Sequence, residues 1–113
     1  IGADGSTLMR LGEFETIKRS NLKWPIVIIN DAALGTMKYR QGFRGYDDYG
    51  LDLKMVDFAG VAKSCGLKGE TADNPEDFRK ALINAFKSEV ATVIDARIDP
   101  KIYQDNFGGT IGD

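Results

Sequence analysis

Asp4 lies in the tetrapeptide Ala3-Asp4-Gly5-Ser6, and Asn30 follows 26 residues later, at the end of the apolar run IVII. A carboxylate and an amide oxygen are hard donors. They suit Mg²⁺, which takes six oxygens at about 2.1 Å from one or two carboxylates, phosphate and water. Gly5 and Ser6 open an amphipathic segment. A helix start presents unpaired N–H groups and roughly half a positive charge, which favours phosphate, and Gly5 lets the backbone approach an anion closely. A phosphate beside Asp4 is unfavourable without a cation between them, so the two together imply a divalent metal. A carbonyl from the segment DAALG would add a ligand, while Asp31 reads as a cap for the helix after it.

The surrounding elements must place these groups at one edge. Between Ser6 and Arg19, Leu8, Leu11, Phe14 and Ile17 recur at helical spacing and predict one helix. Pro25 introduces IVII, which reads as a strand buried on both faces. ALGTMKYRQ predicts a short helix, and GFRGYDDYGLDL a loop. Asp57 caps a helix over FAGVAKSC that Gly66 closes. LKGETA predicts a short strand, Asn74-Pro75 starts a helix with Phe78, Ala81, Leu82, Ala85 and Phe86 on one face, and TVIDARI predicts the last strand. The alternation predicts an α/β fold, a parallel sheet with helices on both faces. Ligands of such sheets sit outside the carboxyl ends of the strands, where Asp4 and Asn30 stand.

Composition narrows the chemistry. The 113 residues amount to one domain, and a net charge of -2 gives no electrostatic footing for nucleic acid or an anionic membrane. No apolar run approaches the roughly 18 residues of a membrane span. The single Cys65 precludes an internal disulfide and reads as a core thiol in a reducing, cytoplasmic setting. The chain has no His, which removes Ser-His-Asp and Cys-His catalysis and any His-ligated metal from it.

ADGSTLMRLGEFETIKRSNLKWPIVIIND resembles the thiamine diphosphate-binding signature, Gly-Asp-Gly followed some 26 residues later by Asn-Asn. The likeness continues through AALG, VDFAGVAKSCGL and ATVIDARID, and matches the diphosphate-binding domain of the acetolactate synthase and 2-oxo acid decarboxylase group. It implies thiamine diphosphate and Mg²⁺ as cofactors, with Asp4 and Asn30 as side-chain ligands of the metal and Ala32 as a carbonyl ligand. It implies Ala3, Gly5, Ser6 and Gly35 against the diphosphate, and Leu34, Gly35, Thr36 and Met37 toward the thiazolium and substrate. Ala3 stands where the signature has its first Gly, and Asp31 where it has its second Asn. Arg40 replaces the Trp typical of acetolactate synthases and reads as a surface residue or a partner for a substrate carboxylate or sulfonate.

The resemblance further implies a homodimer or homotetramer in which a Glu from a different domain of a neighbouring subunit activates the cofactor. Glu13 and Glu15 lie along the helix after the turn and are poor substitutes, so no catalytic residue is expected within the chain. Residues 1–113 are read as a C-terminal fragment of the diphosphate-binding domain, inactive alone. The whole protein is expected to decarboxylate a 2-oxo acid or ligate its product. The rival reading is a non-catalytic relative binding nucleotide or diphosphate for regulation or assembly. GFRGYDDYGLDL and the terminal YQDNFGGTIGD are read either as segments closing over the site or as surface loops.

Overall fold

Four parallel strands are joined by helices, and the two central ones, PIVIIN and TVIDAR, are rich in β-branched residues. The computed structural model describes residues 1–101 and 103. Along the chain these are β1 (Gly2–Ala3), α1 (Asp4–Leu8), α2 (Glu13–Arg19), β2 (Pro25–Asn30), α3 (Gly35–Phe43), α4 (Phe58–Ser64), β3 (Lys68–Ala72), α5 (Pro75–Phe86) and β4 (Thr92–Arg97). The sheet order is β1-β2-β4-β3, with every pair parallel. The central β4 is buried through Thr92–Ala96, as expected of a strand covered on both faces.

Each face has its own core. Phe14 of α2 and Phe58 and Ala62 of α4 pack with Ile28 and Val93 on one side. Ala81 and Ala85 of α5 pack with Val27, Ile94 and Ala96 on the other. Helices therefore cover both faces, as the alternation predicts. Phe58 is wholly inaccessible, and burial of such a ring contributes about 3 kcal/mol.

The segment expected as one helix from Ser6 to Arg19 is two. Turns at Met9–Gly12 separate them, with Arg10 N–H bonding Thr7 O and Glu13 N–H bonding Arg10 O, both at 2.9 Å. Gly12 carries the entropic penalty of glycine within a helix and stands as the N-cap of α2 instead. Leu8, Leu11 and Ile17 still join Phe14 on the same core, so the apolar spacing survives the break. The other helix starts follow their caps. Asp57 Oδ1 accepts Gly60 N–H at 2.9 Å, and Asn74 Oδ1 accepts Asp77 N–H at 2.9 Å ahead of Pro75.

Candidate functional site

Parallel pairing of Ala3 with Ile29 brings the ends of β1 and β2 side by side. The chain leaves β1 through Asp4 into α1, and leaves β2 through Asp31 into the turn before α3. Between them lies a cleft of about 170 Å³ lined by Ala3, Asp4, Gly5, Ser6, Asp31, Ala33, Leu34, Gly35, Thr36, Met37 and Tyr103. Its size suits a phosphate group and a cation rather than a whole cofactor.

Local bonding turns one oxygen of each aspartate inward. Asp4 Oδ1 accepts the N–H of Gly5 at 2.7 Å, and Asp31 Oδ1 accepts the N–H of Ala33 at 3.2 Å. Both side chains are buried, at 3% and 8% exposure. Neither Asp4 Oδ2 nor Asp31 Oδ2 has a hydrogen-bond partner. Burial raises the pKa of Asp4 above the ordinary carboxylate value; the Gly5 N–H works against this, and the Asp31 carboxylate adds to it. The phenol of Tyr103 is pushed up to about 12, by burial first, then by its hydrogen bond with the Asp31 side chain and by the charges of Asp31 and Asp4. Two buried carboxyl oxygens that no N–H or O–H meets are costly unless a cation or a proton joins them.

Glycine keeps the cleft open at two points. A Cβ on Gly5 would lie 2.7 Å from Leu34 Cδ2, and one on Gly35 would lie 2.2 Å from Asp31 Oδ2 and 2.5 Å from the Tyr103 ring. The N–H groups of Gly35, Thr36 and Met37 start α3, and its first i→i−4 bond is Lys38 N–H to Leu34 O. These open donors suit an anion. No group of three His, Cys, Asp or Glu side chains able to hold a metal occurs among the described residues. A cation here would take two carboxylate oxygens and fill its shell with phosphate and water, in the manner of Mg²⁺.

Of the ten residues expected to meet the cofactor, Ala3, Asp4, Gly5, Ser6, Leu34, Gly35, Thr36 and Met37 line this cleft. Asn30 and Ala32 lie outside it. Asn30 Nδ2 donates to Asp95 Oδ1 at 2.8 Å and to Val56 O at 3.0 Å, while Asn30 Oδ1 accepts Ala32 N–H at 3.3 Å. The Ala32 carbonyl accepts Leu53 N–H at 2.8 Å. Their sequence neighbours Asp31 and Ala33 line the cleft instead. Asn30 lies two residues beyond Ile28 and shares its face of the sheet, toward Val56 and Asp95, while Asp31 is the first residue past the end of β2 and stands at the opening. Tyr103, the first residue of the terminal segment YQDNFGGTIGD, also lines the cleft, on the side of the reading that brings that segment over the site.

A second cleft of about 520 Å³ adjoins the first and shares Asp31, Ala33, Gly35 and Tyr103 with it. Lys38 closes one wall, its Nζ 2.8 Å from Asp48 Oδ2 and 2.5 Å from Asp52 Oδ1. The segment read as a loop, GFRGYDDYGLDL, is tied to the turn before α3 by Leu34 N–H bonding Leu51 O at 2.8 Å. Arg40 is exposed and lines neither cleft. The terminal segment YQDNFGGTIGD lies outside the described residues apart from Tyr103.

Comparison with known proteins gives this geometry its context. The family model described as "Thiamine pyrophosphate enzyme, C-terminal TPP binding domain" matches residues 1–96. The chain is 35% identical over 101 residues to sulfopyruvate decarboxylase subunit beta of Methanocaldococcus jannaschii, covering 88% of this chain and 50% of that one. It is 30% identical over 121 residues to 3D-(3,5/4)-trihydroxycyclohexane-1,2-dione hydrolase of Clostridium botulinum strain Alaska E43, covering 95% of this chain and 19% of that one. Among solved structures, the thiamine diphosphate-dependent 4-hydroxybenzoylformate decarboxylase of Rhodococcus jostii RHA1 superposes with a TM-score of 0.78 at 23% identity, over 86% of this chain and 19% of that one. The chain thus spans a fifth to a half of these proteins.

Proposed function

This chain belongs to the thiamine pyrophosphate enzymes as their C-terminal cofactor-binding domain, and from that premise we propose that it anchors the cofactor diphosphate and an Mg²⁺ ion in an enzyme acting on a 2-oxo acid. The observation that carries the reading is the pair of buried, unpartnered oxygens, Asp4 Oδ2 and Asp31 Oδ2, in a cleft rimmed by the start of α3. Asp4 and Asp31 are the favoured side-chain ligands. Asn30 and Ala32, the ligands the signature implies beside Asp4, do not line this cleft, and their oxygens accept Ala32 N–H at 3.3 Å and Leu53 N–H at 2.8 Å.

The N–H groups of Gly35, Thr36 and Met37 bind the diphosphate oxygens, and Gly5 and Gly35 leave room for them. Leu34 and Met37 supply the apolar wall toward the ring of the cofactor. When bound, thiamine diphosphate supplies an electron sink that lets a bond to a carbonyl carbon break. Glu13 and Glu15 are exposed on α2 and line neither cleft, so the acid that activates the cofactor comes from another domain or subunit. The relatives' names support a substrate with a carbonyl beside a carboxylate or second carbonyl: sulfopyruvate, hydroxybenzoylformate and a cyclic 1,2-dione. The likeness to the dione hydrolase favours, as a second reading, C–C cleavage by water in a ring dione.

Calorimetric titration of thiamine diphosphate into the whole protein that carries this domain, with and without Mg²⁺, tests the anchoring role, and carbon dioxide release by that protein from 2-oxo acids tests the reaction. Metal-dependent binding with release is the expected result. Metal-dependent binding without release, but with ring opening of a 1,2-dione, would replace the decarboxylase reading by the hydrolase one. Absence of binding from the folded protein would remove both.

A further inference from the structure

Asp95 is wholly buried at the centre of the sheet, away from the cleft. Its Oδ1 accepts Asn30 Nδ2 at 2.8 Å, and its Oδ2 lies 3.5 Å from Arg97 Nε, whose Nη1 is 3.8 Å from Asp73 Oδ1. A buried carboxylate in a core strand is costly, and an apolar residue of similar volume is often at least as stable there. Packing alone therefore does not account for it.

The bonds of Asn30 point to a use. Its amide nitrogen is held from two sides, by Asp95 Oδ1 and Val56 O. That fixes the amide plane and leaves Oδ1 facing the Ala32 N–H at 3.3 Å. Ala32 has φ +54°, a left-handed conformation that disfavours residues with a Cβ, so the turn needs outside support. In this turn the chain passes from Asp31 through Ala32 to Ala33, where the Ala33 N–H bonds Asp31 Oδ1.

We propose that Asp95 is a positioning residue: acting through the Asn30 amide, it locks the left-handed turn at Ala32 and so holds the Asp31 carboxylate in the cleft. The benefit to cofactor binding rests on the function proposed above, whereas the mechanical link from Asp95 to Ala32 stands independently of it. A charged acceptor outcompetes a neutral one for the amide N–H groups and sets their direction firmly. The charge sits where Arg97 balances it without reaching the cofactor.

The test uses the full chain carrying Asp95→Leu, Asp95→Asn, Asn30→Ala, or Asn30→Ala with Asp95→Leu. One readout is amide hydrogen exchange at Ala32 without ligands, and the other is thiamine diphosphate affinity in saturating Mg²⁺. Asp95→Leu is expected to speed exchange at Ala32 at least tenfold and to weaken affinity at least tenfold. Asp95→Asn, which keeps an acceptor, is expected to restore both to within about threefold of wild type. In the Asn30→Ala background, Asp95→Leu should add no further effect, which a general loss of packing would not reproduce. Wild-type exchange at Ala32 in Asp95→Leu overturns the proposal, as does an undiminished effect of Asp95→Leu once Asn30 is Ala. If Asp95→Leu fails to fold, Asp95→Val, which also lacks an acceptor, takes its place: exchange at Ala32 at least tenfold faster than in wild type supports the link, and wild-type exchange rejects it. If the wild type binds no thiamine diphosphate, the functional reading falls and the exchange arm alone judges the link.

Discussion

The carboxyl groups of Asp4 and Asp31 lie against one another where β1 and β2 end, each with one oxygen buried and without a hydrogen-bond partner. The arrangement opposes the stability of the unliganded protein. Burial, together with the Asp31 charge, raises the pKa of Asp4 against the pull of the Gly5 N–H.

Replacing Asp4 by Asn should therefore separate stability from function. Asp4→Asn removes one of two repelling charges and is expected to stabilise the unliganded protein at pH 7 by about 1 kcal/mol, the scale of a buried polar mismatch. It should also weaken Mg²⁺-dependent cofactor binding at least a hundredfold. A carboxyl whose folded pKa is raised contributes stability that is fully present below its unfolded value, near 3.8, and lost as pH rises through the folded value. The advantage of Asp4→Asn over wild type should consequently shrink on acidification toward pH 4. Thermal unfolding of both proteins from pH 4 to 7 without metal checks this; a constant difference would contradict it.

Gly35 and Gly42 lie on the same helix and should respond oppositely to alanine. A Cβ at Gly35 meets Asp31 Oδ2 and the Tyr103 ring, whereas one at Gly42 meets nothing within 4 Å. Gly35→Ala is expected to push Asp31 aside, lowering cofactor affinity at least tenfold and costing about 1–3 kcal/mol. Gly42→Ala should raise stability by about 0.5–1 kcal/mol through helix propensity and leave affinity unchanged. Urea unfolding and calorimetric titration of the two variants make the comparison. Equal effects on affinity would mean that Gly35 has no special place at the site.

The contrast also shows what sequence could reveal. Residue type and spacing identified the turn at Asp4, the strand at Pro25–Asn30 and the caps at Asp57 and Asn74, because each depends on neighbours in the chain. Asn30 points with Ile28 toward Val56 and Asp95, whereas Asp31 is the first residue beyond β2 and lines the cleft, a difference set by where the strand ends. The break between α1 and α2 was hidden because the apolar residues keep their spacing on either side of Gly12. For Tyr103 the sequence left two readings open, a segment over the site or a surface loop, because its contact depends on the path of the chain beyond β4, which no local pattern sets.

Lys38 ties α3 to Asp48 and Asp52 across the mouth of the larger cleft. Hydrogen bonds that the Lys38 ammonium donates to both carboxylates, Asp48 first and then Asp52, raise its pKa, so the tie persists throughout the neutral range. All three groups are substantially exposed, and the attraction is open to screening. Proteolysis within 44–50 is expected to quicken when the Debye length falls to about 3 Å at 1 M salt. Lys38→Gln should cleave as quickly at low salt and gain nothing more from added salt. Salt-independent cleavage of the wild type would show that the backbone bond from Leu34 to Leu51 suffices to hold this segment.

At the far edge of the sheet, Gly69 of β3 permits a contact that no side chain would allow. A Cβ there would lie 2.1 Å from the carbonyl oxygen of Ala59 and 2.7 Å from its carbon. Both are backbone atoms of α4, so relief requires the helix to move rather than a side chain to turn. Such movement would loosen Phe58, which is fully buried, and Ala62 beside it. Gly69→Ala is therefore expected to cost about 3 kcal/mol, seen as a lower urea midpoint at an unchanged slope. Because β2 and β4 separate β3 from β1, the cleft at Asp4 and Asp31 should retain its cofactor affinity within about threefold wherever the variant is folded. A large loss of affinity in folded Gly69→Ala would mean that α4 helps set the site, and would direct attention to Val56, whose carbonyl holds the Asn30 amide.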